Sequence, residues 1–95
     1  MKITKKDAKH FDADGFEGFV YYEKGNTNAL EVQVNGKHPI KKVPGTLLYR
    51  VESGLGKFTI NNEDFQANPG DVFIINNNIS YSYEGKMRLF EVKLN

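Results

Sequence analysis

Two histidines, five tyrosines and no cysteine bound the chemistry this chain can attempt. An imidazole titrates near neutral pH and can serve as acid, base or metal ligand. His38 follows the dipeptide Asn35-Gly36 and precedes Pro39, so its plainest reading is a surface turn residue; the functional alternative is an acid–base group or ligand. His10 lies near Asp12 and Asp14, enough donors to hold a cation on paper, but in a polar stretch without periodicity that reads as solvated. Tyr81 and Tyr83 stand two apart, so in an extended segment their phenols share a face. Of the adjacent Lys41 and Lys42, one could point inward and hold an anion; the competing reading is a pair of solvated lysines guarding a sheet edge. Asp71, after Pro69-Gly70, reads as a turn residue bonded to local backbone. The lack of cysteine removes disulfides, thiolate metal sites and cysteine nucleophiles together.

The elements that must position these groups are strands. Ninety-five residues make one thin-cored domain. Residues 1–14 read as an extended arm or frayed turn, and residues 15–95 as the single domain. Phe19-Val20-Tyr21-Tyr22 is a short β-branched and aromatic run. Leu30, Val32 and Val34 alternate with Glu31 and Gln33, the period of a strand with one buried face. Asn35-Gly36 is a strong hairpin-turn signal. Thr46 to Glu52 reads as a strand, Ser53-Gly54-Leu55-Gly56 as a turn and Lys57 to Ile60 as the next strand. Asn61-Asn62 then predicts a hairpin, Phe65 to Ala67 a short strand, and Asn68-Pro69-Gly70-Asp71 a turn. Val72-Phe73-Ile74-Ile75 is apolar throughout, as for a strand buried on both faces. After the Asn76–Asn78 loop come strands over Ile79–Tyr83 and Arg88–Leu94, separated by a turn at Glu84-Gly85. About eight or nine short strands at this spacing, with no helix, predict a sandwich or barrel.

Charge excludes other classes. With 13 basic and 12 acidic residues there is no basic face for nucleic acid. No apolar run approaches the roughly 20 residues of a membrane helix, and Met1 to Lys6 is not the start of a secretion signal. The expectation is a cytoplasmic protein with no nucleic-acid or membrane partner.

The order Gly54-Leu55-Gly56-Lys57-Phe58-Thr59-Ile60, then Asn68-Pro69-Gly70-Asp71-Val72-Phe73-Ile74-Ile75, resembles the centre of a cupin: a glycine-rich hairpin ends one motif and a Pro-Gly-Asp turn opens the next. With Asn35-Gly36 and Tyr81 the similarity spans residues 29–94. The resemblance implies an all-β jelly-roll barrel (double-stranded β-helix) open at one end. Cupins normally carry His-x-His, Glu and a further His as inward metal ligands. Here the His-x-His positions fall among Ile40 to Pro44, the Glu position on Leu47 or Tyr49, and the last His on Tyr81, so the ligand set is missing and no metal or other cofactor is expected.

On the same register Leu47, Tyr49, Val51, Tyr81 and Tyr83 should face the barrel interior, with Lys42 and His38 near its mouth. Such a cavity suits a sugar ring or planar metabolite; equally, the rings could simply fill a small barrel. The first functional reading is therefore a metal-independent, non-enzymatic cupin that binds a small molecule or serves as an assembly module. Its rivals are a metal-free sugar or sugar-nucleotide isomerase or epimerase, and a sensor domain working with a partner regulator. The enzyme reading is weakened by the lack of an interior histidine or inward carboxylate in this register. A homodimer is expected, with Gly18 to Tyr22 as a candidate contact and an ordinary core strand as its alternative.

Overall fold

A computed structural model describes residues 1–13 and 15–94. Seven strands run antiparallel: β1 (Lys9–Ala13), β2 (Phe16–Lys24), β3 (Thr27–Lys37), β4 (Thr46–Ile60), β5 (Glu63–Ala67), β6 (Val72–Ile75) and β7 (Tyr81–Leu94). The all-β barrel expected from the sequence is present; among the described residues the helical content is a single 3-10 turn at Lys5–Asp7. The strand order is β1-β2-β3-β7-β4-β5, with β6 on the free edge of β4. β7 is thus central, laddered to β3 from Lys93 to Glu84 and to β4 along its whole length.

Burial follows strand parity. Leu30, Val32 and Val34 of β3 and Tyr81, Tyr83, Met87 and Leu89 of β7 form the core with Leu47, Tyr49 and Val51 of β4. Further along β4 the inward residue is Phe58, an even position, because the register shifts between Val51 and Ser53. One extra residue in a bulge moves every later side chain to the opposite face.

Among the described residues there are seven strands, rather than eight or nine, because two glycine sites lie inside strands and merge two expected pairs while Lys9–Ala13 adds a strand; a third glycine site is also interior to a strand. Asn35-Gly36 is not a hairpin; β3 runs on to Lys37. Ser53-Gly54-Leu55-Gly56 and Glu84-Gly85 are likewise interior to β4 and β7. Their glycines form a seam: Gly85 is paired with Gly36 on one side and Gly56 on the other, and Gly15 lies against Gly36. Gly85 has φ of +137°, and a Cβ there would lie 2.6 Å from both the Gly56 Cα and the Leu55 carbonyl oxygen. Four segments can therefore approach and bend together only because none of them has a side chain at the crossing.

Other local readings fare differently. Asn61 and Asn62 make the β4–β5 hairpin with φ of 51° and 65°, the left-handed pair that a two-residue turn requires. Asp71 accepts from the Asn68 backbone N–H at 2.9 Å, as a turn aspartate should. Lys9–Ala13 is extended but not frayed, pairing with Val20–Phe16. β6 is not buried on both faces: Ile75 is core, whereas Val72 and Ile74 point outward. In β2, Gly18 is buried and Val20 packs on the core, while Tyr22 is half exposed. Among the described residues no helix is long and apolar enough to cross a membrane.

Gly85→Ala should destabilise the barrel by at least about 2 kcal/mol, since it adds backbone strain and a clash with a neighbouring main chain that cannot swing away. Urea unfolding checks this; a change within error of wild type would show that the seam is not rigid.

Candidate functional site

After β3 the chain keeps following β7. The His38 N–H donates to the Tyr83 carbonyl at 2.8 Å, and Lys41 and Tyr81 exchange a pair of backbone hydrogen bonds at 2.9 Å each. This strip delivers the His38 ring onto the phenols of β7. Its centroid lies 4.4 Å from that of Tyr83 with the planes 19° apart, and 5.5 Å from that of Tyr81; Phe16 packs at 5.6 Å. His38 is only 5% exposed, so it is not the surface turn residue that its flanking Asn-Gly and Pro suggested. Its Nδ1 is buried without a hydrogen-bond partner. Burial first, and the Lys41 charge second, lower its pKa from the ordinary 6.5 to about 4. The imidazole is therefore neutral at physiological pH.

Three phenols and a carboxylate share this space. Tyr49 lies edge-on to Tyr83, and its hydroxyl donates to that of Tyr81 at 3.4 Å. Burial, then the charge of Glu91, raises the pKa of Tyr49 and of Tyr83; burial also raises that of Tyr81. All three remain protonated and able to donate. Glu91 sits opposite Tyr49 in the β4–β7 ladder and opposite Leu30 in the β3–β7 ladder. Burial pushes its pKa up, against hydrogen bonding from Tyr49 and the charges of Lys41 and Lys93. A carboxylate shifted upward in this way is a stronger base than an exposed one.

These groups line a cavity of about 260 Å³. Its walls include His38, Tyr49, Tyr81, Tyr83 and Leu47, so the barrel is not packed solid. Val51 is fully buried but does not reach the wall; Lys42 is exposed and away from it, and Lys41 takes the inward place instead. Three polar wall residues had escaped the sequence, Glu91, Lys93 and Asn28, as had the rings of Phe11 and Phe16. The first two share the odd parity of Tyr81 and Tyr83, a count broken by reading Glu84-Gly85 as a turn. Asn28 shares the even parity of Leu30 but was assigned to a loop. A broader depression of about 890 Å³ lies over the glycine seam, where Asp12, Glu17, Lys86 and Arg88 line it. It shares Phe16 with the cup but contains neither His38, nor Glu91, nor any of the three phenols.

The cup's donors do not fit a cupin metal centre. They amount to one imidazole and one carboxylate, with phenols held in the protonated state, whereas such a centre needs several imidazoles and a carboxylate converging. Among the described residues, the one group of three potential ligands is His10, Asp12 and Glu17, whose donor atoms lie within 4.8 Å of one another on the exposed β1–β2 surface. His10 is solvent-exposed as expected but lies in a paired strand instead of a tail: it hydrogen-bonds Glu17 at 2.9 Å and packs on Phe19 at 4.9 Å. Asp14, its other expected neighbour, lies outside the described residues.

Residues 35–86 match the family model of the AraC-like ligand binding domain. This chain belongs to that family. The domain's cupin barrel superposes on Pac13, a nucleoside dehydratase, with a TM-score of 0.84 and 25% identity over 100% of this chain and 84% of Pac13. A histidine-to-glutamine variant of the Streptomyces Pac13, solved with uridine, superposes with a TM-score of 0.83 at 25% identity, over 99% of this chain and 83% of that one. The salicylate 1,2-dioxygenase of Pseudaminobacter salicylatoxidans shares the fold at 17% identity and a TM-score of 0.78, over 85% of this domain and 26% of the dioxygenase. No curated protein matches the chain.

The lowered pKa of His38 has a thermodynamic consequence. Between pH 6.5 and about 4 the unfolded domain takes up a proton at His38 that the folded one refuses. Stability should therefore fall as pH drops through this window, by on the order of 3 kcal/mol from this residue. Glu91, shifted upward, works in the opposite direction, so the His38 contribution is read from the difference between wild type and His38→Gln in urea titrations at pH 7 and 4.5. The variant should lose less stability on acidification; equal losses would contradict a buried neutral imidazole.

Proposed function

We propose that the cup binds a nucleoside and acts on it by metal-independent acid–base chemistry of the water-eliminating kind. The carrying observation is the neutral His38 in one small cavity with Glu91 and three protonated phenols. The two objections that the sequence raised to an enzyme, no interior histidine and no inward carboxylate, do not hold for this cavity. The resemblance of the whole chain to Pac13, a nucleoside dehydratase seen with uridine, supports the ligand class.

In this reading a nucleoside stacks against the aromatic wall. His38 removes a proton from a carbon beside a carbonyl, because an imidazole does not deprotonate an ordinary sugar C–H. The electron pair forms a C=C bond, and the β-hydroxyl leaves with a proton from a phenol, giving water. The imidazolium then returns its proton to the phenolate. The charge of Glu91, which raises the pKa of Tyr49, Tyr81 and Tyr83, helps hold the phenols in their proton-donating form. Burial supports each role by keeping the imidazole neutral and the phenols protonated before the reaction.

Titration with uridine should give saturable binding. A panel of ribonucleosides oxidised to carbonyls on the sugar should yield at least one that loses a water by mass spectrometry. His38→Gln should retain uridine binding and slow dehydration by about 100-fold or more. Binding with no turnover on any member would favour the non-enzymatic ligand-binding role; no uridine binding would remove the nucleoside class. The homodimer also stays a proposal, resting on the thin core of so short a chain. Sedimentation velocity at micromolar concentration should show two chains per particle, and a monomer throughout would dismiss it.

A further inference from the structure

The cup carries more positive charge than its own groups neutralise. Lys41, on the strip bonded to Tyr81, lines it, and so does Lys93 of β7, paired with Asn28 on one side and Leu47 on the other. Lys93 shares the inward parity of Tyr81, Tyr83 and Glu91 and is half-buried, a position that a lysine seldom takes without a partner. Among the described residues, neither ammonium forms a salt bridge. Their charges nevertheless reach the interior. Both pull the pKa of Glu91 down against the effect of burial, and that of Lys41 also lowers His38. The two lysines face a single carboxyl, Glu91, whose ionisation burial opposes, while the imidazole and the phenols stay neutral.

We infer that the ligand carries an anionic group, a phosphate or a carboxylate on its sugar, and that Lys41 and Lys93 bind it. This inference rests on the nucleoside reading and adds the ligand's charge to it. A neutral nucleoside leaves the wall with its excess of positive charge, whereas an anion supplies the missing countercharge beside a low-polarity interior, where the attraction is stronger than in water. An ammonium only donates and acts as a compact point charge, so the pair accepts either oxyanion without reading its shape. Lys41 is exposed. The anionic group is therefore met at the solvent side of the cup, where its outer oxygens keep their water and little desolvation is required. The aromatic wall and His38 are left for the uncharged part of the ligand.

Calorimetric titration with uridine, uridine 5′-phosphate and uridine 5′-carboxylate tests this. At least one of the two anions should bind wild type on the order of tenfold or more tighter than uridine, and the gain should shrink as salt is added. A gain for the phosphate alone makes the ligand a nucleotide; a gain for the carboxylate alone makes it a nucleoside acid. The double variant Lys41→Met/Lys93→Met should bring the anion-to-uridine ratio to about one. Lys41→Arg/Lys93→Arg, which keeps both charges, should retain the preference, as should Lys42→Met, which removes an exposed charge away from the wall. If neither anion binds more tightly than uridine, if the double methionine variant keeps the wild-type ratio, or if Lys42→Met loses it, this pair of lysines does not hold an anion and the nucleoside reading stands without it. If wild type binds none of the three, both fall.

Discussion

Everything in this barrel depends on the close approach of main chain to main chain along the glycine seam. β3, β4 and β7 are long strands that must bend sharply to enclose a space, and a ladder can bend so tightly only where no Cβ occupies the inside of the corner. Gly85, packed between Gly36 and Gly56, removes that obstacle on three strands at once. Because the strands bend instead of ending, each carries its alternation from one part of the barrel to another. One parity of β7 can therefore place Tyr81 and Tyr83 against His38, and Glu91 against Tyr49, within a single cavity.

The chemistry follows from that enclosure. Water solvates an exposed imidazole, carboxylate and phenol independently, and each titrates at its ordinary value. Inside the cup the same groups lose solvent and face one another. Neutral forms are favoured all round: the imidazole sheds its proton, the phenols keep theirs and the carboxyl is drawn toward protonation. A set of groups that would each keep its ordinary charge state on the surface becomes a neutral imidazole, a carboxyl with raised pKa and several protonated phenols at the same pH.

The sequence was informative about the barrel and about half of its interior. Alternation over Leu30–Val34 and the family-like glycine and Pro-Gly-Asp spacing led to an all-β jelly roll, and they set Leu47, Tyr49, Tyr81 and Tyr83 on the inside. The failures share one cause. A glycine after a polar residue looks the same whether it ends a strand in a turn or lets the strand bend, since both need a left-handed or crowded backbone. Reading turns at Asn35-Gly36 and Glu84-Gly85 stopped the parity count before Glu91 and Lys93. It also made His38 look like the residue after a hairpin. What distinguishes a bend from a turn is a partner glycine on the adjacent strand, and that pairing is a long-range fact no local window contains.

The central position of β7 also orders the protein's formation in time. Synthesis makes β7 after the other six described strands, yet it lies between β3 and β4, which have no ladder with each other. Thr46 pairs with Leu94, so the partners that close the main ladder are separated by nearly half the chain. A nascent chain that has emerged through β6 has made its two widest sheet edges and must keep both unpaired until the next strand inserts. Folding is therefore a late, concerted closure instead of strand-by-strand growth on the ribosome, in the slow regime of non-local β topologies. Until that closure the cup has neither its two β7 phenols nor its carboxylate, so a partly made chain has no cup.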